Sequence, residues 1–154
     1  MGIEIERKYL LKNEDWRKSS DSGTAIKQGY LNSHVERTVR VRVFGDKGFI
    51  TIKGKTDILI RKEYEYEIPL EEALEQLELC EKPLIEKVRF IVHENGHKWE
   101  IDEFYGENAG LILVEVELAR ETDEIHKPDW LGEEVTNEIK YYNSNLIKNP
   151  YANW

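Results

Sequence analysis

The chain has 154 residues, of which 40% are hydrophobic, and its formal net charge at pH 7 is −9. This length suits one folding unit with a core of ordinary size, so residues 1–154 are predicted to form a single domain. The negative charge argues against nucleic acid and against a membrane as the main partner, because both select basic surfaces. A single cysteine, Cys80, excludes an internal disulfide.

The first residues of the chain alternate between charged and apolar side chains. They form no continuous apolar run of the kind that marks a signal peptide, and a cytoplasmic location is therefore expected. On a strand, Glu4, Glu6 and Lys8 would project from one face. Two carboxylates can bind a hard divalent cation through oxygen, and an ammonium group beside them can bind phosphate.

The same alternation predicts eight strands, near residues 2–11, 25–32, 37–44, 48–54, 60–68, 84–94, 97–105 and 111–119. Turn sequences at 45–48 and 94–97 predict hairpins and hence antiparallel neighbours. After Pro69, leucines at helical spacing predict an amphipathic helix over 70–79. Shorter helical segments are expected at 14–18 and 137–148.

Each predicted strand concentrates charge of mostly one sign on one face. Arg40 and Arg42 share a face, for example, as do Glu115 and Glu117. Like charges at neighbouring positions repel unless a ligand or an opposite strand compensates them. Eight strands with few helices suggest a barrel or a strongly curved antiparallel sheet. Alternation alone leaves open whether the charges or the Val and Ile side chains face inward.

A resemblance bears on this choice. The segment Glu4–Lys8 matches the ExExK signature of the CYTH superfamily, the triphosphate tunnel metalloenzymes. Further segments are similar to family blocks in the expected order, namely Gln28–Leu31, Arg40–Arg42, Thr51–Lys53, Arg61–Glu65, Glu86–Arg89, Glu100–Asp102, Val114–Glu117, Gly132–Thr136 and Lys140–Asn143. The resemblance implies an α+β, mainly β fold: an eight-stranded antiparallel β-barrel, the triphosphate tunnel, with a few covering helices and its charges inside.

The resemblance also implies a site. Phosphate oxygens would be bound by the basic residues Lys8, Arg40, Arg42, Lys53, Arg61, Lys87, Arg89 and Lys140. Mg²⁺ or Mn²⁺ would be bound by the acidic residues Glu4, Glu6, Glu63, Glu65, Asp102, Glu115 and Glu117. Lys8, Tyr30 and Lys87 are the expected catalytic residues. About a third of the charged set is expected to orient other ligands without touching the metal or the substrate.

The implied reaction is metal-dependent hydrolysis of a terminal phosphoanhydride bond. The chain is most similar to the compact bacterial inorganic tripolyphosphatases, which release pyrophosphate and phosphate. Alternatives are a nucleoside or thiamine triphosphatase, a class IV adenylyl cyclase, a non-catalytic module that binds polyphosphate or a nucleotide, and a protein interaction domain. The expected partner is a small anionic substrate. The oligomeric state stays open, with a homodimer among the alternatives.

Overall fold

A computed structural model describes residues 2–57 and 59–154. The strands of this part of the chain are β1 (Gly2–Leu11), β2 (Thr24–Asn32), β3 (Arg37–Phe44), β4 (Lys47–Gly54), β5 (Ile60–Ile68), β6 (Ile85–Glu94), β7 (His97–Phe104), β8 (Ile112–Glu117) and β9 (Leu131–Glu134). The α-helices are α1 (Leu70–Leu79) and α2 (Asn143–Leu146). Short 3₁₀ turns cover Asp15–Lys18, Gly106–Asn108, Ile139–Tyr141 and Tyr151–Asn153.

Strands β1 to β8 form a closed antiparallel barrel, in the order β1-β5-β4-β3-β2-β6-β7-β8 and back to β1. Strand β1 closes the ring because its first half, Gly2–Ile5, pairs with β5, while Glu6–Tyr9 pair with β8. The predicted eight-stranded antiparallel barrel is confirmed. Strand β9 was not predicted. It is four residues long and pairs with the end of β1 at Tyr9 and Leu11.

Helix α1 begins and ends at the predicted residues and packs on the outside of the barrel. Its buried Ala73 and Leu77 lie in one apolar cluster with Val41 of β3 and the buried Cys80. Close approach of the helix depends on Gly48 of β4, because a Cβ atom there would lie 2.6 Å from the Cβ of Ala73. Within the described residues, no helix combines the length and the apolar character needed to cross a membrane.

A second apolar cluster covers the outside of β7, β8 and β1. Trp99 is completely buried there, in contact with Trp130 and Tyr9. Trp16, from the predicted helical segment at 14–18, is also completely buried in this cluster and packs against Phe90. The apolar faces of these strands therefore point outward under covering segments, which leaves their charged faces inside.

A third apolar cluster fills part of the barrel interior. Inward side chains such as Ile85 and Phe104 meet Tyr141 and Leu146 of the C-terminal segment. The helix expected over 137–148 is broken into a 3₁₀ turn and the short α2. Packing explains this break, because the segment follows the interior surface of the barrel and does not present one straight apolar face to it. The C-terminal segment thus bounds the space into which the charged residues project.

Candidate active site in the barrel interior

The barrel encloses a cavity of about 250 Å³. It is lined mainly by charged and polar side chains, namely Glu4, Glu6, Lys8, Tyr30, Thr38, Arg40, Arg42, Lys53, Thr56, Arg61, Glu63, Glu65, Lys87, Arg89, Glu100, Glu115, Glu117, Thr136, Asn137, Tyr142, Asn143 and Ser144, with Leu59 as an apolar neighbour. The arrangement with charges inside is the observed one. The structure brings together all the residues expected at the site except Asp102 and Lys140.

Carboxylates dominate one side of the cavity. They come from four adjacent strands, β7, β8, β1 and β5, and we call them the acidic arc: Glu100, Glu115, Glu117, Glu4, Glu6 and Glu63. Register places them side by side, because Glu6 lies opposite Glu117 and Glu100 lies opposite Glu115. The arc is therefore a consequence of strand order, and it concentrates oxygen ligands on one wall.

The acidic arc contains two pairs of carboxyl groups whose ionisation is linked, Glu6 with Glu115 and Glu4 with Glu63. Burial and the nearby carboxylates of Glu115 and Glu4 raise the pKa of Glu6 well above its usual range. Burial would also raise the pKa of Glu115, but Lys8 and Arg89 hold it well below its usual value. In the second pair, burial and the hydrogen bond with Glu4 raise the pKa of Glu63 to about 7. Carboxyl groups this close retain protons unless a cation replaces them.

Cations dominate the facing side of the cavity. We call Arg40 and Arg42 of β3, Lys87 and Arg89 of β6, and Lys8, which projects from β1, the basic cluster. Arg89 also reaches the acidic arc, at 3.2 Å from Glu100 Oε2 and 3.8 Å from Glu115 Oε1. Burial, together with the charges of Arg40 and Arg89, lowers the pKa of Arg42 to about 9. Arg40 keeps a buried Nε–H group without an acceptor among residues 2–57 and 59–154. Positive charge in this cluster is thus only partly compensated by the protein, as expected for an anion-binding site.

Asp102 occupies a different place from the one expected. Its carboxylate is 1% exposed and lies behind the cavity lining. It accepts hydrogen bonds from Arg89 Nε at 2.8 Å and Nη2 at 2.9 Å, and an ion pair joins its Oδ2 to Lys87 Nζ at 2.8 Å. Both oxygens are thus engaged by cations. Asp102 was expected to be a metal ligand, but this geometry suits the fixing of two cations.

Lys53 lines the cavity, but its ammonium group lies in the acidic arc. Nζ is 3.0 Å from Glu4 Oε2 and 3.5 Å from Glu63 Oε2. Arg61 also lines the cavity, where Nε donates to the carbonyl oxygen of Gly54 at 2.7 Å. Glu65 faces the basic cluster, since its Oε2 lies 3.4 Å from Arg40 Nη2. The two signs of charge are therefore segregated incompletely, and Lys53 partly neutralises the acidic arc.

Lys140 does not reach the cavity. Its side chain is exposed, and Nζ lies 4.5 Å from the centre of the Trp154 ring and 5.2 Å from that of Tyr141. The 3₁₀ turn at Ile139–Tyr141 directs Tyr141 into the interior cluster, which leaves Lys140 outside. The structure therefore does not bring Lys140 to the cavity where its phosphate contact was expected. Tyr30 does line the cavity and is 5% exposed.

Several site residues were missed by the sequence reading. Glu100 lines the cavity beside Glu115, although Asp102 was chosen from the same strand face. Gln28 is completely buried, accepts a hydrogen bond from Arg42 Nε at 2.8 Å and donates to Asn143 Oδ1 at 3.0 Å. Both amides lie in segments that resemble family blocks, so that resemblance was the available signal. Charge alternation could not identify uncharged residues.

The donor chemistry of the acidic arc suits a hard divalent cation, because its ligands are carboxylate oxygens. Among the residues described, however, no three His, Cys, Asp or Glu side chains converge as a metal-binding group. The ammonium group of Lys53 lies 3.0 Å from Glu4 Oε2, an oxygen that a metal ion would use. The residues present fit the ion chemically, and Lys53 would have to leave Glu4 when the ion binds.

Comparison with known proteins agrees with this architecture. A family model described as CYTH domain matches residues 2–151, and the chain belongs to this family. An inorganic triphosphatase from Acetivibrio thermocellus is 51% identical over 155 residues, covering 100% of this chain and 99% of the relative. An inorganic triphosphatase from Nitrosomonas europaea is 33% identical over 147 residues, covering 93% and 95%. The predicted family membership is confirmed.

A solved structure shows the same fold. The crystal structure of the inorganic triphosphatase NE1496 has a TM-score of 0.66 and 31% identity, covering 94% of this chain and 93% of that chain. The similarity extends over nearly the whole barrel in both chains. The fold, the family and the names of these relatives all agree with the triphosphatase class predicted from the sequence.

Proposed function

We propose that this protein hydrolyses inorganic triphosphate to pyrophosphate and phosphate with the help of a divalent cation. One observation carries the proposal: a basic cluster whose charge the protein compensates only in part lies beside a wall of carboxyl groups in one small cavity. A triphosphate carries several negative charges and requires several cationic partners, whereas its metal ion requires oxygen ligands. The two sides of the cavity match these two requirements, and the names of the relatives support the same reaction.

The basic cluster would bind the phosphate chain. Arg40 and Arg42 would donate hydrogen bonds to phosphate oxygens, and Lys87 would add a compact charge. Arg89 would donate only through the N–H groups that Asp102 and Glu100 leave free. Arg61 Nη2 donates a hydrogen bond to Thr38 Oγ1 at 3.3 Å. From this position Arg61 would contact an outer phosphate. Lys53 is assigned to the acidic arc in its present position, and its contact with substrate requires release from Glu4. Asp102 would hold Lys87 and Arg89 in place.

Glu4, Glu6, Glu63, Glu115 and Glu117 are the residues that would hold the cation, with Mg²⁺ or Mn²⁺ as the candidates. Glu65 is assigned instead to Arg40 and Thr51, because Thr51 donates to Glu65 Oε2 at 2.9 Å. When bound, the cation would draw charge away from the phosphate chain. Carboxylates provide hard oxygen ligands for either ion, and assays with each metal would determine the preference.

The chemical step requires positioning and charge stabilisation more than a covalent nucleophile. Lys8 and Lys87 would stabilise charge on the transferred and leaving groups, because both ammonium groups are buried in the lining. Lys8 Nζ is oriented by donation to the carbonyl oxygen of Tyr141 at 3.3 Å. The hydroxyl of Tyr30 would orient the attacking water or a terminal phosphate. Substitution of Lys8 or Lys87 should therefore lower kcat more than it lowers the stability of the fold.

Cavity size favours a compact substrate. The volume of about 250 Å³ lies below the roughly 300–1,000 Å³ that is usual for drug-sized ligands. The aromatic side chains of the lining are Tyr30 and Tyr142. Lys8 Nζ lies over the ring of Tyr142, 5.2 Å from the ring centre. A nucleobase would thus find little apolar surface inside. Inorganic triphosphate fits this space better than ATP or thiamine triphosphate.

The test is a substrate and metal comparison with purified protein. Tripolyphosphate, ATP and thiamine triphosphate are incubated with Mg²⁺ or Mn²⁺, and phosphate, pyrophosphate and cyclic AMP are measured. The highest kcat/KM is expected for tripolyphosphate, with no release in EDTA. Glu6→Gln should abolish release, while Glu67→Gln should not, because Glu67 is exposed on a strand of the same barrel outside the lining. Binding of tripolyphosphate without turnover in either metal would refute the enzymatic assignment.

A further inference from the structure

The side chain of Asn143 joins the basic cluster to the C-terminal segment. Asn143 begins α2 and lines the cavity. Its Oδ1 accepts a hydrogen bond from Lys87 Nζ at 2.9 Å and a second from Gln28 Nε2 at 3.0 Å. Gln28 in turn accepts from Arg42 Nε at 2.8 Å. A continuous chain of hydrogen bonds thus connects Arg42, Gln28, Asn143 and Lys87.

The orientation of both amides in this chain is fixed by chemistry. Ammonium and guanidinium groups can only donate, so the atom that faces Lys87 must be the oxygen of Asn143. By the same reasoning, the atom that faces Arg42 must be the oxygen of Gln28. Gln28 therefore presents its NH₂ group to Asn143, which again requires the oxygen of Asn143 at that contact. The contacts with Lys87 and with Arg42 thus independently require the same orientation of the Asn143 amide.

This arrangement leaves the NH₂ group of Asn143 available. Its Nδ2 makes no hydrogen bond with residues 2–57 or 59–154, and it is not among the buried unpaired atoms. Asn143 is only half-buried and belongs to the lining. A polar donor in this position, beside Lys87 and facing a cavity rich in cations, is suited to a phosphate oxygen.

We propose that Asn143 has two roles in the proposed reaction: Oδ1 positions the ammonium group of Lys87, and Nδ2 donates a hydrogen bond to a phosphate oxygen of the substrate. The inference rests on the proposed function, because it names a further contact at the same site. Asn143 supplies this contact without adding another cation to a cluster whose charges already repel one another. It also ties substrate binding to the placement of the C-terminal segment.

Two substitutions separate the roles. Asn143→Ala removes both the acceptor and the donor. Asn143→Asp keeps an acceptor for Lys87 but removes the donor and places negative charge against the phosphate. Hydrogen bonds to charged groups are worth enough to predict a rise of about tenfold or more in KM for the alanine variant. A still larger rise is expected for the aspartate variant, because repulsion is added to the lost contact.

Asn145 offers a matched control on the same short helix. It lies two residues away, is half-buried and does not line the cavity. Asn145→Ala and Asn145→Asp should retain the KM of the unmodified protein, so that any general effect of charge or truncation in α2 is measured separately. Thermal unfolding of all four variants shows whether the fold is kept.

The proposal also predicts coupling between Asn143 and Lys87. If Asn143 acts partly through Lys87, the effects of Asn143→Ala and Lys87→Met on kcat/KM should be less than additive in the double variant. A residue that only stabilises α2 would give additive effects. Additivity would therefore overturn the positioning role.

The outcomes distinguish this inference from the proposed function. Tripolyphosphate binding is measured by calorimetry in EDTA, and hydrolysis is measured with metal. If the unmodified protein binds and hydrolyses tripolyphosphate while both Asn143 variants match it, only the inference is overturned. If Asn143→Asp kept the KM of the unmodified protein while Asn143→Ala raised the KM, the donor role would be overturned. An unmodified protein that neither binds nor hydrolyses tripolyphosphate would overturn both proposals.

Discussion

Removal of the Asp102 charge is the sharpest perturbation of the buried electrostatics. Asp102→Asn keeps the size and shape of the side chain but leaves Lys87 and Arg89 without their shared counter-charge. Lys87 and Asp102 have side chains that are each 1% exposed, and that of Arg89 is 10% exposed. Solvent can therefore do little to compensate, and the amide NH₂ group would also face a donor where a carboxylate oxygen now accepts.

The magnitude follows from the pKa of Asp102. Burial opposes ionisation, but Arg89 and Lys87 lower the pKa of this carboxyl from 3.8 to about 2. Since one pKa unit is worth about 1.4 kcal/mol, the ionised form contributes on the order of 2 kcal/mol to stability. Loss of one partner of a buried ion pair typically costs about 3–5 kcal/mol. We expect Asp102→Asn to lower the free energy of unfolding by about 3 kcal/mol and Tm by about 6–12 °C.

The assay is urea unfolding at neutral pH, followed by circular dichroism and by tryptophan fluorescence, to which the buried Trp16, Trp99 and Trp130 contribute. Asp129→Asn is the control, because this residue is exposed. The folded-state pKa of Asp102 is depressed, so its contribution is full above 3.8 and is lost as pH falls towards 2. The difference between Asp102→Asn and the unmodified protein should shrink over that range. A loss below about 1 kcal/mol at neutral pH would refute the buried counter-charge argument, since exposed pairs are worth that little.

Three further predictions concern packing, charge and specificity. Gly48→Ala should destabilise the fold by about 1–3 kcal/mol in urea unfolding, because the new Cβ would lie 2.6 Å from Ala73 Cβ. Gly54→Ala on the same strand is the control, with its nearest atom 3.6 Å away. Arg42→Met removes a buried charge that repels Arg40 and Arg89 but leaves the buried Gln28 Oε1 without its donor, so unfolding stability should fall by no more than about 1–3 kcal/mol. The KM for tripolyphosphate should rise about tenfold or more, and an unchanged KM would show that Arg42 does not contact the substrate. Lys140→Ala should leave KM unchanged, whereas a large rise would show that Lys140 reaches the substrate.

Much of the barrel follows from alternation in the sequence. In β1, the charged residues Glu4, Glu6 and Lys8 face the cavity, while Tyr9 is buried in an outer cluster. Period-two patterning predicts which residues share a face because side chains alternate on any strand. The choice of inside or outside came only from resemblance, since alternation is symmetric in this respect. The outer clusters under α1 and around Trp16 are the physical reason for the observed choice.

The partners of individual charges could not be predicted in this way. Arg89 lies directly opposite Asp102, and Lys53 lies opposite Glu63, because β6–β7 and β4–β5 pair in particular registers. Sequence patterning gives the face but not the register, and one residue of slip would change every pair. This explains why Asp102 and Lys53 were expected in roles different from their observed contacts. Asn143 was hidden for another reason, since its position depends on the packing of the C-terminal segment.

The separation of charge in the cavity has a thermodynamic consequence. The acidic arc and the basic cluster each hold buried charge that the protein compensates only in part. Burial and like charges raise the pKa of Glu6 and lower the pKa of Arg42, so the charged form is disfavoured in both. A cation that binds the arc increases the attraction for an anion at the cluster, and linkage requires the reverse effect to be equal.

Metal and triphosphate should therefore stabilise the fold together by more than the sum of their separate effects. A non-hydrolysable imido analogue of tripolyphosphate allows this to be measured by thermal unfolding with the metal alone, with the analogue in EDTA, and with both. The affinity of the metal for the analogue in solution must be measured separately and subtracted, because that complex forms without protein. Coupling of about 1–3 kcal/mol is expected for two sites that share one cavity. Additive stabilisation would mean that the two walls act independently, and the charge separation would then have no role in selecting a metal-bound polyanion.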